Sequence, residues 1–542
     1  MKRTGTGKEK ELIMRRFSSY GPIDTEEHYY APRNELINRA YNRLTGDNPK
    51  KSGHYITVWA PRQCGKTWVM QEAVEKINHT GTYACGIFSI ERAKKVKKEK
   101  NILKIFTEEL AEVFQVKFPA IKTFDQIPKL FTASYFQKPV ILIIDEFDAL
   151  QGEFISDFAS IFRHIFTNRT NEKNKQTQEK TYLLHGLALV GVRSVVGVES
   201  TTGSPFNVQR SLRIPNLTAD EVSGMFKWYE KESSQEIEPG VIAELYKETL
   251  GQPGLIGWFG ELLTETYNEK KDRPITIDQF KGVYATALNL LPNTNILNII
   301  SKAKKEKYKQ LVLEIFQADE PIEFKYTDSK INFLYMNGVI EPEKVSPTDF
   351  YVRFANPFVQ KQLFNYFSNE IFHYMGRLVE PFDTLEDVIT DQHLNTINLI
   401  NRYQTYLAKN KDWLLKDAPR RKDMKIFEAV YHFNLYMYLY RLLKNKGCKI
   451  FPQFPTGNGK IDIIIEYKSR IYGIELKSYT DYSGYKSALP QAAMYGKQLE
   501  LKEVLLVFFL EAIDKRSREK YEKDFLDEST GVKVIPIFVE TG

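Results

Sequence analysis

The stretch Tyr55-Ile-Thr-Val-Trp-Ala60-Pro-Arg-Gln-Cys-Gly65-Lys-Thr-Trp-Val-Met-Gln71 decides the fold: an apolar run, a turn ending Gly65-Lys66-Thr67, and the start of an amphipathic helix. A strand, a loop and a helix in that order aim backbone amides and a helix N-terminus at one point, where phosphate oxygens bind. In this pattern Lys66 reaches the β- and γ-phosphates of a nucleotide and the Thr67 hydroxyl takes Mg²⁺. Arg62, Gln63, Cys64, Gly65 and Trp68 supply the rest of the cradle. Ala60 stands where the pattern usually has its first glycine, which removes some backbone freedom.

Downstream, Pro139-Val-Ile-Leu-Ile-Ile-Asp145-Glu146 reads as a buried strand ending in two carboxylates. Asp145 is expected to hold Mg²⁺ through water, and Glu146 to orient and deprotonate an attacking water. Short apolar runs alternate with amphipathic stretches between residues 50 and 200, which predicts a parallel sheet flanked by helices. A further run, Leu187 to Val192, ends at Arg193, placed to sense a γ-phosphate. From residue 217 the pattern turns helical, with Thr218 and Glu221 spaced as a capping box. The resulting division is a nucleotide-binding core (1–215), a helical lid (216–302), helices and a hairpin that predict a winged helix (303–370), a helical connector (371–423) and a final domain (424–542). The fold class is multidomain α/β.

The first part resembles the AAA/STAND group of P-loop ATPases, especially the bacterial AAA-like family. The resemblance covers roughly residues 15–370 and rests on Tyr30-Ala-Pro-Arg33, the loop Ala60 to Thr67, Asp145-Glu146, Ser204-Pro-Phe-Asn207 and Gly251-Gln-Pro-Gly254. It implies that Tyr30 to Arg33 lie near the nucleotide base, that Gly251 to Gly254 form a nucleotide-sensing lid motif, and that Arg33 contributes to nucleotide binding. Arg210 and Arg213 could act in trans, which would make the chain a homo-oligomer or give it a partner subunit.

Near the C-terminus, Ile461-Asp462-Ile-Ile-Ile-Glu-Tyr-Lys-Ser-Arg-Ile-Tyr-Gly-Ile-Glu475-Leu-Lys477 reads as two strands around a tight turn at Lys468-Ser469. That turn centre sets Asp462 opposite Glu475, Ile464 opposite Gly473 and Lys460 opposite Lys477 on one face. Ile461, Ile463 and Ile465 face Leu476, Ile474 and Tyr472 on the other. Opposed carboxylates repel by up to about 1 kcal/mol unless a cation neutralises them. Mg²⁺ or Mn²⁺ suits a few carboxylate oxygens plus water, and Lys477 would stabilise charge developing on a phosphodiester.

This segment resembles the PD-(D/E)XK nuclease superfamily over about residues 424–540, with Ile461 where the proline of the family name would stand. The resemblance implies Asp462 and Glu475 as metal-binding acids, Lys477 as the catalytic lysine, Glu428 as a third acid on the preceding helix, and Gln491 on the following one. Together the two resemblances imply an ATP-regulated, metal-dependent endonuclease acting on nucleic acid, DNA by family analogy, in the setting of anti-phage or anti-plasmid defence. The alternatives are a nucleic-acid-binding regulator or scaffold with an inactive nuclease fold, and a mobile-element ATPase-nuclease.

Composition agrees with a soluble multidomain chain: 542 residues, 42% hydrophobic and 27% charged. Three scattered cysteines, Cys64, Cys85 and Cys448, give neither a disulfide framework nor a zinc cluster. The net charge of +7 permits a polyanionic partner without requiring one. Basic runs at Lys94 to Lys100 and Arg420 to Lys422 add weak support. No apolar run approaches the roughly 18 residues that span a bilayer, and the basic N-terminus leads into no apolar stretch, so a cytoplasmic protein away from membranes is expected.

Overall fold

The structure is a computed structural model and describes residues 14–191, 211–268, 270–317, 321–379, 384–421, 424–452 and 462–542. It divides into two compact units. The first holds Met1–Ile299, Lys325–Ile340 and Ala355–Phe358, and the second holds the remainder.

In the first unit, strands β1 (Tyr55–Trp59), β2 (Ala84–Ser89), β3 (Val140–Asp145), β4 (Leu184–Gly191) and β5 (Leu212–Arg213) form one sheet in the order β2-β3-β4-β1-β5, every pair parallel. A parallel sheet is buried on both faces, which is why β3 and β4 read as continuous apolar runs. Alternate residues nevertheless go to different cores. Leu142, Ile144, Leu187 and Leu189 join one cluster with Phe88, Phe106 and Phe158. Ile141, Ile143, Ala188 and Val190 join another with Ile56, Val58 and Met70. The strand order sets β4 between β1 and β3, so the loop after β1 and the acids after β3 emerge at the same sheet edge, where α/β folds bind ligands.

Beyond β5 come the helices Ala219–Ser233, Pro239–Thr249, Pro253–Glu261 and Ile277–Asn289. The first starts as its sequence predicts: Thr218 Oγ1 accepts from the Glu221 amide at 3.2 Å, and Glu221 Oε2 accepts from the Thr218 amide at 2.8 Å. Among its described residues the segment 303–370 holds the helices Glu306–Gln317 and Ser329–Met336, a two-stranded sheet of β6 (Ile340–Lys344) and β7 (Phe350–Phe354), and nearly all of the helix Pro357–Ile371. It contributes to both units.

The second unit is built on a six-stranded sheet of β8 (Lys449–Pro452), β9 (Ile463–Tyr467), β10 (Arg470–Ser478), β11 (Glu503–Leu510), β12 (Phe525–Leu526) and β13 (Lys533–Glu540), in the order β12-β13-β11-β10-β9-β8. β10, β11 and β13 run parallel, whereas β9 is antiparallel to both its neighbours. The helix Glu428–Leu443 is almost wholly buried. The stretch expected as a connector is part of this unit's core. Its helix Thr396–Leu414 sets Tyr403 against Tyr438 at 5.2 Å, with the Tyr403 hydroxyl donating to Asn434 Oδ1 at 2.8 Å.

Candidate functional site

The loop after β1 turns through left-handed Gln63 (φ 56) and Gly65 (φ 80), conformations that make its amides converge ahead of the helix Lys66–His79. Lys66 is buried and its Nζ donates to the carbonyls of Ala60 at 3.1 Å and Pro61 at 3.0 Å, so the ammonium lies within the loop. Thr67 Oγ1 donates to Asp145 Oδ2 at 2.6 Å, and the Glu146 amide donates to Asp145 Oδ1 at 2.8 Å. The threonine and aspartate oxygens are the hard donors that Mg²⁺ takes, and they lie side by side without rearrangement. Glu146, left-handed at φ 51, is half-buried; burial first, then Asp145 and Asp148, raise its carboxyl above the ordinary range, and Lys66 opposes them.

The remaining nucleotide-site expectations divide. Gly251-Gln-Pro-Gly254 does meet the loop: Gln252 Nε2 donates to the carbonyls of Arg62 at 3.3 Å and Gln63 at 3.4 Å, and the Gly254 amide donates to Gln63 O at 3.0 Å. Gly251 is left-handed at φ 69, and an added Cβ would meet Leu217 O at 2.0 Å. Arg33, expected near the nucleotide base, has carbonyl and carboxylate partners at the start of the lid. It donates to Pro215 O at 2.8 Å and Asn216 O at 3.2 Å and pairs with Glu221 at 3.4 Å, fixing the joint where β5 leads into the lid helices. Burial lowers its guanidinium from the usual value. Trp68 and Cys64 put their side chains into the core, and Tyr30 meets the Trp68 ring edge-on at 5.5 Å. Arg213 lies over Trp59 at 5.6 Å and Tyr335 at 5.3 Å. Arg193, Arg210 and Ser204 to Asn207 lie outside the described residues.

In the second unit the hairpin register is the one its turn dictates. Lys468 (φ 48) and Ser469 (φ 63) are both left-handed, as a two-residue type I′ turn requires. The ladder pairs Tyr472 with Ile465, Gly473 with Ile464 and Ile474 with Ile463, so the next position faces Asp462 with Glu475. Asp462 Oδ2 accepts from the Leu476 amide at 2.7 Å, and Lys477 Nζ lies 3.8 Å from Glu475 Oε1. Glu475 is only 3% exposed. From the helix Tyr482–Gln498, Gln491 Nε2 donates to the Tyr495 hydroxyl at 2.6 Å. The Tyr495 phenol is raised chiefly by burial, with Glu475 and Asp462 adding and Lys477 opposing, which sets Tyr495 beside the acid pair.

Glu428 accepts a short hydrogen bond from the Ser478 amide, two residues along β10 from the amide that Asp462 accepts. Asp462 and Glu428 therefore occupy successive outward amides of β10 past the end of β9, flanking Glu475 and Lys477. Among the described residues no three His, Cys, Asp or Glu side chains gather as a metal-holding cluster. The oxygen chemistry of Asp462 and Glu475 fits Mg²⁺ or Mn²⁺ completed by water. Lys460 and Ile461 lie outside the described residues.

Residues 18–271 match the family model of the AAA-like domain. With the loop and the acids after β3, that match supports a P-loop ATPase domain of AAA-like type over this stretch, a kind of domain that takes ATP with Mg²⁺. Solved structures similar to the chain include a Walker-type ATPase of Pyrococcus abyssi (13% identity, TM-score 0.41, covering 64% of this chain and 98% of that one). Others are Cdc6p of Pyrobaculum aerophilum (14%, TM-score 0.34, 63% and 95%) and an Orc1 protein of Aeropyrum pernix in complex with DNA (14%, TM-score 0.30, 62% and 92%). No curated protein matches the chain. Among the described residues no helix is long and apolar enough to cross a membrane.

One contributor to this site was not singled out in the sequence. Asp148 adds to the charge around Glu146 and lies so close to Gly191 that a Cβ there would meet its Oδ1 at 2.5 Å. It carries a signal, since it stands three residues after Asp145 at the end of a buried strand. Gln252, inside the expected lid motif, reaches the loop carbonyls through its side chain, a contact that shows only in three dimensions.

Proposed function

We propose that the chain is an ATP-regulated, metal-dependent nuclease acting on DNA. The observation that carries the reading is the hairpin register, which ends at Ile463 with Ile474 and, continued by one position, sets Asp462 against Glu475, with Lys477 3.8 Å from the buried glutamate. A divalent ion there would supply Lewis-acid charge neutralisation for phosphodiester hydrolysis. In this reading Asp462 and Glu475 hold that ion, Lys477 offers a cation to the scissile phosphate, and Gln491 with Tyr495 fixes the floor beside them. In the AAA-like domain Lys66 and the loop amides bind the ATP phosphates, Thr67 and Asp145 hold Mg²⁺, and Glu146 takes a proton from the attacking water. Nucleotide state reaches the lid through Gln252 and Gly254. A role in defence against phage or plasmids is part of the same proposal, as is action as a homo-oligomer.

A second reading, a nucleic-acid-binding regulator with an inactive nuclease fold, is favoured by one feature: Glu428 serves the Ser478 amide and no three-acid cluster forms among the described residues. Incubation of plasmid and linear DNA with Mg²⁺ or Mn²⁺, with and without ATP, separates the two. Metal-dependent cutting lost in Lys477→Ala supports the nuclease; cutting that persists unchanged in Lys477→Ala and Asp462→Ala refutes this site, and no cutting under any condition leaves the regulator.

A further inference from the structure

Beside the hairpin, the second unit carries a cleft of about 940 Å³. Its walls are the end of the helix Thr396–Leu414, the strap that follows, and the ends of β10 and β11. Five cations line it, Lys411, Lys416, Arg420, Arg421 and Lys425, against the carboxylates of Asp412, Glu428 and Glu511. Four of the five cations are exposed, with Lys411 half-buried.

The strap is a built element. Arg420 pairs antiparallel with Ile426, the Arg421 amide donates to Lys425 O at 2.8 Å, and Arg420 Nη1 donates to Met424 O at 3.1 Å. Arg420, Arg421 and Lys425 are therefore presented from paired backbone, and Lys411 from a helix end. On the wall, Tyr431 and Phe509 stack at 4.7 Å with their planes 9° apart. Glu428 and Ser478, joined by a hydrogen bond, also line the cleft, and Ser478 directly follows Lys477 on β10. Closely spaced exposed cations along a groove are the arrangement that neutralises successive phosphates of a polyanion.

We propose that this cleft grips the phosphodiester backbone of a nucleic-acid strand and leads it to the hairpin. Delivery to the hairpin rests on the nuclease reading; the grip itself does not. Phosphate contacts of this kind position the strand without reading its sequence.

The test uses the full chain in EDTA, which prevents cutting, and labelled oligonucleotides as single-stranded DNA, duplex DNA and RNA. Binding is titrated against salt for wild type, for Arg420→Ala/Arg421→Ala/Lys425→Ala, and for Lys94→Ala/Lys95→Ala/Lys97→Ala as a control on another basic run. Loss of three phosphate contacts should make the slope of log K against log salt shallower by about 2 for single strands and about 3 for duplex. The control should leave it unchanged, and Arg420→Lys/Arg421→Lys should retain most of it. The single change Arg421→Ala, a smaller perturbation than the triple variant, should remove about one unit, with a thermal melt of each variant reporting that it is folded. The strand type held most tightly names the source of the phosphates.

Unchanged affinity and slope in the cleft variants, or equal losses in the control, overturns the proposal. The nuclease reading is tested separately by adding Mg²⁺: a chain whose binding depends on the cleft but which never cuts upholds the grip and sinks the nuclease.

Discussion

Gly254→Ala tests whether the lid motif and the phosphate loop form one mechanical piece. A Cβ at position 254 would lie 2.6 Å from Gln63 Cβ and 2.6 Å from Gln63 Oε1, where real Cβ contacts do not occur. Gln63 sits in the turn itself, held left-handed at φ 56, so the loop or the lid helix must move and the Gly254–Gln63 hydrogen bond of 3.0 Å must lengthen. Overpacking of this kind costs about 1–3 kcal/mol. For a unit of this size that lowers the melting temperature by roughly 1–5 °C. If ATP binding requires the loop in its present shape, the same energy weakens affinity by about 5- to 150-fold. Gly224→Ala supplies the comparison: it lies inside the helix Ala219–Ser233 with nothing within 4 Å of the added Cβ, so alanine should stabilise by about 0.5–1 kcal/mol. Thermal melting without nucleotide and titration with a fluorescent ATP analogue read both effects. A Gly254→Ala protein that melts and binds as wild type does would refute the contact.

Lys66→Ala should abolish nucleotide binding in the same titration, while Glu146→Gln should bind ATP and fail to turn it over in a phosphate-release assay. Stability should fall with acid through His185, which is fully buried between Thr177 Oγ1 at 2.7 Å and Thr45 O at 2.9 Å. Burial lowers its pKa from 6.5 to about 4. The unfolded chain therefore binds the proton first, and the native state loses up to about 3 kcal/mol as pH drops from 6.5 to 4, with no contribution above that window. Urea melts of wild type and His185→Gln should converge toward pH 4, because only wild type carries this loss; parallel profiles would contradict it.

What could be read from the sequence was local. The capping box at Thr218 and the register around Lys468-Ser469 follow from turn chemistry and side-chain period, and a period of two leaves no intermediate register for the hairpin to adopt. The apolar run before Asp145 predicted a buried strand because a strand covered on both faces reads as a continuous apolar run. The partners of Arg33, which are Pro215, Asn216 and Glu221, could not be read from the sequence, because they are brought to it only by the sheet order that sets β5 beside β1. The helix Thr396–Leu414 looked like a connector because its polar residues outnumber its apolar ones, yet Leu399, Ile400, Tyr403, Tyr406 and Leu407 are enough to bury one face. Glu428 was expected on the helix before the hairpin and does begin the helix Glu428–Leu443, but its hydrogen bond to the Ser478 amide is invisible to spacing.

Capture of a metal by the hairpin is measured most directly by Mn²⁺ titration of the full chain, followed by electron paramagnetic resonance without nucleotide. Asp462→Asn keeps an oxygen for the Leu476 amide and Glu475→Gln keeps the side-chain volume, so either change removes charge with the fold intact. The account predicts one Mn²⁺ bound by wild type and by Lys66→Ala, and that ion lost in both acid variants; Mn²⁺ binding unaltered by Asp462→Asn and Glu475→Gln would contradict it.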